Sequence, residues 1–227
     1  MGWGARIVTT MAIAPMPIDA KFLMLTQWLS PAYPIGAFAM SHGIEQAVQD
    51  DLITDAAGLE AWLRDCMTQG SARADVIWLR LGYCTPDVQV IDAEARAFAA
   101  SHERLCEAIS QGAAFVKTTN AVWDQTLPDL LLPVAVGRAA SIAGLELEPT
   151  VQLYLQGFAS NLIAVAQRLM PLGQTDGQRI LAALTPVCID VAQETRDAGM
   201  DDVYSNTFLS DISAMRHETL QPRIFQT

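Results

Sequence analysis

Apolar residues along this chain recur at helical spacing. Counting from Leu59, the residues Leu59, Trp62, Leu63, Cys66 and Met67 fall at offsets 0, 3, 4, 7 and 8. Counting from Val151, the series Val151, Leu155, Phe158, Leu162, Val165 and Leu169 falls at 0, 4, 7, 11, 14 and 18. Each series is one face of an α-helix, because a turn takes 3.6 residues. Asp19, Thr54 and Thr175 stand where N-caps belong, and Pro128 and Pro149 lie near helix starts. The pattern predicts helices near 19–29, 37–49, 55–70, 73–83, 88–111, 129–144, 150–169 and 175–196, with a final segment from about 207. Pro186 falls inside the last of these helices and is expected to kink or split it. The one alternating patch, Val88-Gln89-Val90-Ile91, is too short to carry a sheet. The expectation is an all-α, single compact multi-helix domain over residues 19–212. A flexible extension over 1–18 precedes it, and a C-terminal docking segment over 213–227 follows.

Composition narrows this. The chain has 227 residues, 51% hydrophobic and 17% charged, which suits one sizeable core and argues against global disorder. A net charge of −11 argues against nucleic-acid binding, which requires a basic stripe to displace counterions. The four cysteines, Cys66, Cys84, Cys106 and Cys188, form no CxxC pair and have no histidine at zinc-finger distance. Reduced thiols and a cytoplasmic protein are expected. The first twenty residues make a poor signal peptide, and no stretch approaches the length of a membrane span.

Three stretches stand out against this helical background. In "SPAYPIGAFAMSHGIE" (30–45), Ser30-Pro31 should stop the first helix, and Tyr33-Pro34-Ile35-Gly36 has the proline and glycine of a type I turn. Gly36 then leads into the predicted 37–49 helix, whose inner face is Ala37, Met40, Ser41, Ile44, Ala47 and Val48. Gly43 lies in mid-helix, costing roughly 1 kcal/mol against alanine, and the run of small residues suggests that another backbone comes close. His42, Glu45, Gln46 and Gln49 share the opposite, polar face. The i, i+3 spacing of His42 and Glu45 permits metal binding, but no second such pair completes a ligand set. A solvated or interface-facing pair is the favoured reading. In "PLGQTDGQRIL" (171–181), Gln174, Gln178 and Arg179 form a candidate polar contact surface beside a plain interhelical connection. "SAMRHETLQPRIFQT" (213–227) ends in the apolar pair Ile224-Phe225 with Arg216 and Arg223 nearby, the chemistry of a tail that docks on something.

No Ser-His-Asp or Cys-His constellation can be argued, and no Walker A or G-x-G-x-x-G sequence is present. The residues nominate no nucleophile, cofactor or metal ligand set, so a non-enzyme is expected.

Taken in order and at these separations, the three stretches resemble the urease accessory protein UreF family over roughly residues 21–227. The opening motif matches the family pattern S-P-x-x-P-[IV]-G-x-[FY]-x-x-S-x-G-[LI]-E, and the closing one matches S-x-R-H-E-T-x-Y-S-R-L-F-R-S. Gln221, Pro222 and Gln226 depart from the second pattern, where the family usually has Tyr, Ser and Arg. Arg216, His217, Glu218, Thr219, Arg223 and Phe225 match it. The resemblance implies a dimerising, non-catalytic all-α protein in maturation of the nickel enzyme urease. Such proteins bind UreD (also called UreH) through a C-terminal segment, then recruit the GTPase UreG. The assembly delivers nickel to apo-urease and couples delivery to GTP hydrolysis. On this reading the partner-binding residues are Pro34, Gly36, Ser41, His42, Gly43, Glu45, Gln174, Gln178, Arg179, Arg216, His217, Glu218, Thr219, Arg223, Ile224 and Phe225. A helical enzyme with an unrecognised site, and a scaffold for another metalloenzyme, are the alternatives.

Overall fold

A computed structural model describes residues 19–227. The 1–18 extension lies outside the described residues. Among the described residues ten α-helices follow one another: α1 (Ala20–Trp28), α2 (Ile44–Gln49), α3 (Ala56–Gln69), α4 (Ser71–Cys84), α5 (Val88–Phe98), α6 (His102–Trp123), α7 (Leu132–Ala143), α8 (Leu147–Leu169), α9 (Gln174–Glu194) and α10 (Phe208–His217). Short 3-10 turns occupy Ala37–Ala39 and Met200–Asp202. Among the described residues there is no strand, and none of these helices is long and apolar enough to cross a membrane.

The middle of the fold is the α4–α7 pair. Helix α7 is apolar or small on nearly every side, and α4 is buried along most of its length, with its arginines Arg73 and Arg80 paired. Ala72, Val76, Ile77 and Leu79 of α4, and Val134, Ala135, Ala139 and Ala140 of α7, are fully shielded. A Cβ on Gly137 would collide with the carbonyl oxygen of Leu79, so glycine sets how closely the two axes approach. Around this pair, α3, α5 and α8 pack on α4 and α6 packs on α7, α9 lies against α3 and α8, and α10 covers α2 and α6. The stripe read on α8 faces inward, with Val151, Leu155, Leu162 and Val165 buried. Two buried arginines of α4 tie the layers together. Arg80 grips Glu148 with two hydrogen bonds of 2.9 Å, and Arg73 donates to Glu194 and to the carbonyl of Asp202.

Several local expectations change. Asp55, not Thr54, caps α3 by accepting the Gly58 N–H, and α9 begins at Gln174, ahead of Thr175. Pro186 lies within α9, and the helix continues through it to Glu194. The predicted 88–111 helix is two helices. Ser101 accepts the Arg104 N–H and starts α6 on a new axis, which then extends to Trp123. The predicted 37–49 helix is broken at Met40–Gly43, where Met40 is extended and both His42 (φ 56°) and Gly43 (φ 79°) turn into the left-handed region. Gly43 is therefore the residue before α2, not a residue within a helix. Tyr33, from the same opening stretch, is buried against Phe115, and its hydroxyl lies 2.8 Å from that of Thr119.

Candidate functional site

The break at residues 40–43 creates the site. With Met40 extended, the backbone on either side of it is free to pair, and the tail supplies the partner. Gln226 N–H donates to the Ala39 carbonyl at 2.9 Å, and Ser41 N–H donates to the Thr227 carbonyl at 2.5 Å. The left-handed turn at Gly43 lets α10 approach. A Cβ placed there would lie 2.8 Å from the backbone nitrogen of Ala214, so only glycine fits.

The turn aims Glu45 inward, where it is 1% exposed. Its Oε1 accepts the N–H of Ile224 at 2.7 Å, and its Oε2 accepts the N–H of Phe225 at 2.9 Å. The same Oε2 lies 3.0 Å from His217 Nε2. On the other side of that ring, Nδ1 is 2.7 Å from Glu103 Oε2, and Glu103 Oε1 accepts from Arg223 at 2.7 Å. Carboxylates only accept, so the cluster is satisfied when both imidazole nitrogens carry hydrogen. Two carboxylates are then balanced by one imidazolium and one guanidinium, the pairing a buried charge requires. Phe225, 2% exposed, sits under the Arg168 guanidinium at 4.3 Å and joins the hydrophobic core.

Beside this clamp lies a second buried polar group. His42 Nε2 is 2.7 Å from the Ser71 hydroxyl, and its Nδ1 is 3.7 Å from Glu107, which is also paired with Arg104. Tyr154 donates to Asp75 at 3.0 Å. Two cavities of about 250 and 230 Å³ adjoin here, both lined by His42, Asp75 and Arg104. Burial lowers the affinity of His42 for its proton, and the Arg104 charge lowers it further. Burial pushes the Asp75 carboxyl up to about 6 against the opposing pull of Arg104. Burial also raises Glu107, but the charge of Arg104 and the contacts with His42 more than offset it and hold that carboxyl down at about 2. Among the described residues, no three of His, Cys, Asp and Glu gather as a metal ligand set.

The structure brings two of the three sequence stretches into one place. Ser41, His42, Gly43 and Glu45 from the first, and His217 and Phe225 from the last, are buried together. Of the polar face expected for His42, Glu45, Gln46 and Gln49, the first three are buried and only Gln49 is exposed, and His42 and Glu45 enter the interior with hydrogen-bond partners. His42 and Glu45 do not pair with each other. Pro34, Arg216, Glu218, Thr219, Arg223 and Ile224 are exposed, and Gly36 is half-buried at a left-handed turn (φ 74°). Gln174, Gln178 and Arg179 are exposed on α9, where Arg179 donates to Asp176. Sequence reasoning did not single out Glu103, Asp75, Arg104, Glu107 or Tyr154. The one available signal was Ser101 followed by His102 and Glu103, a helix start with an acid in its first turn.

The architecture defines a class: an all-helical protein whose C-terminal segment folds back and is clamped by a buried acid of an early helix. The UreF family model matches residues 53–185. A urease accessory protein UreF from Roseobacter denitrificans is 49% identical over 214 residues, covering 93% of this chain and 96% of that protein. Proteins of the same name from Cereibacter sphaeroides and Ruegeria pomeroyi are 46% identical over 210 residues and 44% identical over 214 residues. These cover 92% and 93% of this chain, and 100% and 99% of those proteins. The chain belongs to the UreF family.

Proposed function

We propose that this protein is a urease maturation factor, a nickel-insertion chaperone that works as an adaptor and not as an enzyme. It bridges UreD/UreH and the GTPase UreG, and it couples GTP hydrolysis by UreG to delivery of nickel into apo-urease. Family membership supports the urease role. The observation that carries the adaptor role is the outer face of α10, where Phe208, Leu209, Ile212 and Met215 are 68%, 59%, 47% and 47% exposed. Apolar residues at this helical spacing form an exposed face of the kind that marks protein contacts, and Ile224 of the tail is also 64% exposed. Arg216, Glu218, Thr219 and Arg223 rim it with charge and hydrogen-bonding groups. The buried members of the two motifs serve this surface by holding it in place. Pro34 and Gly36, and separately Gln174, Gln178 and Arg179, are proposed as further contacts for the remaining partners and for a second copy of the chain in a homodimer.

Co-purification tests this reading. The wild-type chain, in cytoplasmic extract, should capture UreD/UreH and, with it, UreG and apo-urease. Ile212→Asp and Met215→Asp should lose that capture and urease activation while keeping the wild-type melting temperature. Full capture by the double variant would remove the α10 face from the proposal.

A further inference from the structure

At the start of α6, two exposed metal-ligating side chains face each other outside the clamp. His102 and Cys106 are one helical turn apart, the i, i+4 spacing that sets side chains side by side. His102 Nε2 lies 3.4 Å from Cys106 Sγ. Cys106 is a free, exposed thiol, and His102 is exposed as well. Neither side chain contributes to the Glu45–His217 cluster.

The separation has a meaning in coordination geometry. An ion about 2.3 Å from a thiolate sulfur and about 2.0–2.1 Å from an imidazole nitrogen, at a near-tetrahedral angle, holds its two donors about 3.4–3.6 Å apart. The 3.4 Å gap already has that bite, so an ion enters without a shift of the helix. The donor types select the ion. A thiolate with an imidazole suits borderline and soft cations, whereas magnesium and calcium take oxygen ligands. A carboxylate stands at the same helix end, since Glu218 Oε1 accepts the backbone N–H of His102 at 2.9 Å.

We propose that His102 and Cys106 form a surface site for a borderline divalent cation of the nickel–zinc class. Among the described residues no third ligand joins them, so the remaining positions are open to water or to a side chain of another protein. A two-ligand site of this kind loads and unloads its ion readily. Both groups must be deprotonated to bind, so occupancy rises with pH and loading releases protons. The assignment rests on these two side chains and is independent of the urease reading.

Titration of the reduced full-length chain with Ni²⁺ alone tests it. A saturable sulfur-to-nickel charge-transfer band is expected, stronger at about pH 8 than at about pH 6. Zn²⁺ should displace it and Mg²⁺ should not. Cys106→Ser should abolish the band, and His102→Ala should weaken binding about tenfold or more, since a direct ligand counts for at least as much as its supporting contacts. Cys84→Ser, which removes the other exposed thiol, should leave it unchanged. All three positions are exposed, so the variants should melt with the wild type. A wild-type chain that gives no band, a band that persists in Cys106→Ser, or one that His102→Ala leaves unchanged would overturn the assignment.

Discussion

Glu45 Oε2 lies 3.0 Å from His217 Nε2, although 172 residues separate them in sequence. Through this contact α10 is tied to α2. One carboxylate meets two tail amides and one imidazole, so it serves three polar groups at once.

Glu45→Ala should therefore be among the most damaging single changes. It leaves two amides and a buried imidazole without their acceptor, and removing one partner of a buried ion pair costs about 3–5 kcal/mol. We expect a fall in melting temperature on the order of 10 °C, with faster tryptic cutting at the exposed Arg216 and Arg223. Glu45→Gln keeps one acceptor oxygen and should fall between the two. A Glu45→Ala tail as protease-resistant as the wild type would falsify the clamp.

Gly43→Ala should destabilise, because the residue has φ 79° and its Cβ would meet Ala214 N at 2.8 Å. In a helix interior the same change would instead be favourable. Strain and overpacking together place the cost at about 1–3 kcal/mol, and Gly43→Leu should cost more. Urea unfolding measures both, and an unchanged or raised midpoint for the alanine variant would count against the close approach of α10.

The adjacent residues Ile224 and Phe225 should separate stability from binding. Phe225→Ala removes a core ring and should cost about 3–5 kcal/mol, contrary to the small effect expected of a residue that only meets a partner. Ile224→Ala should change stability by no more than about 0.5 kcal/mol, yet weaken capture of UreD/UreH if the α10 face docks as proposed. Melting curves and pull-downs on the same two proteins decide this.

Stability should depend on Asp75 in a pH-specific way. Its carboxyl is raised from 3.8 to about 6 by burial, so the folded state binds that proton more tightly than the unfolded chain. The stability linked to it is present below about pH 4 and lost as pH rises through about 6. Asp75→Asn removes the loss, and the variant should gain on the wild type by up to roughly 3 kcal/mol above about pH 6.5, with little gain near pH 4. Glu107, lowered from 4.5 to about 2, has the opposite sign: its contribution is present above 4.5 and lost as pH falls through about 2. His42, lowered from 6.5, also costs stability as pH falls below that value. Both are common to the two proteins and cancel in the difference. Denaturant unfolding at about pH 4.5 and pH 7.5 checks the prediction, which fails if the variant's advantage is the same at both.

The amino-acid sequence determined the fold class and most of its helices. The stripes on α3 and α8 identify buried faces, because periodicity belongs to consecutive residues and needs no distant partner. Asp19 caps α1 as its local chemistry indicates. Helix ends decided by one polar residue among helix formers were harder to see. Arg96-Ala97-Phe98-Ala99-Ala100 reads as continuous helix, and only the Ser101 cap divides α5 from α6. Two of the three motifs supply residues of the buried cluster, but neither indicates what those residues touch. Glu45, His217, Glu103 and Arg223 come from three separate parts of the chain, and a charge pattern along the sequence carries no information about which carboxylate meets which cation. That choice belongs to the packing of α2, α6 and α10. Only when the left-handed turn at Gly43 brings their backbones together does the cost of burying an unpaired charge select Glu45 and Glu103 as the partners of His217.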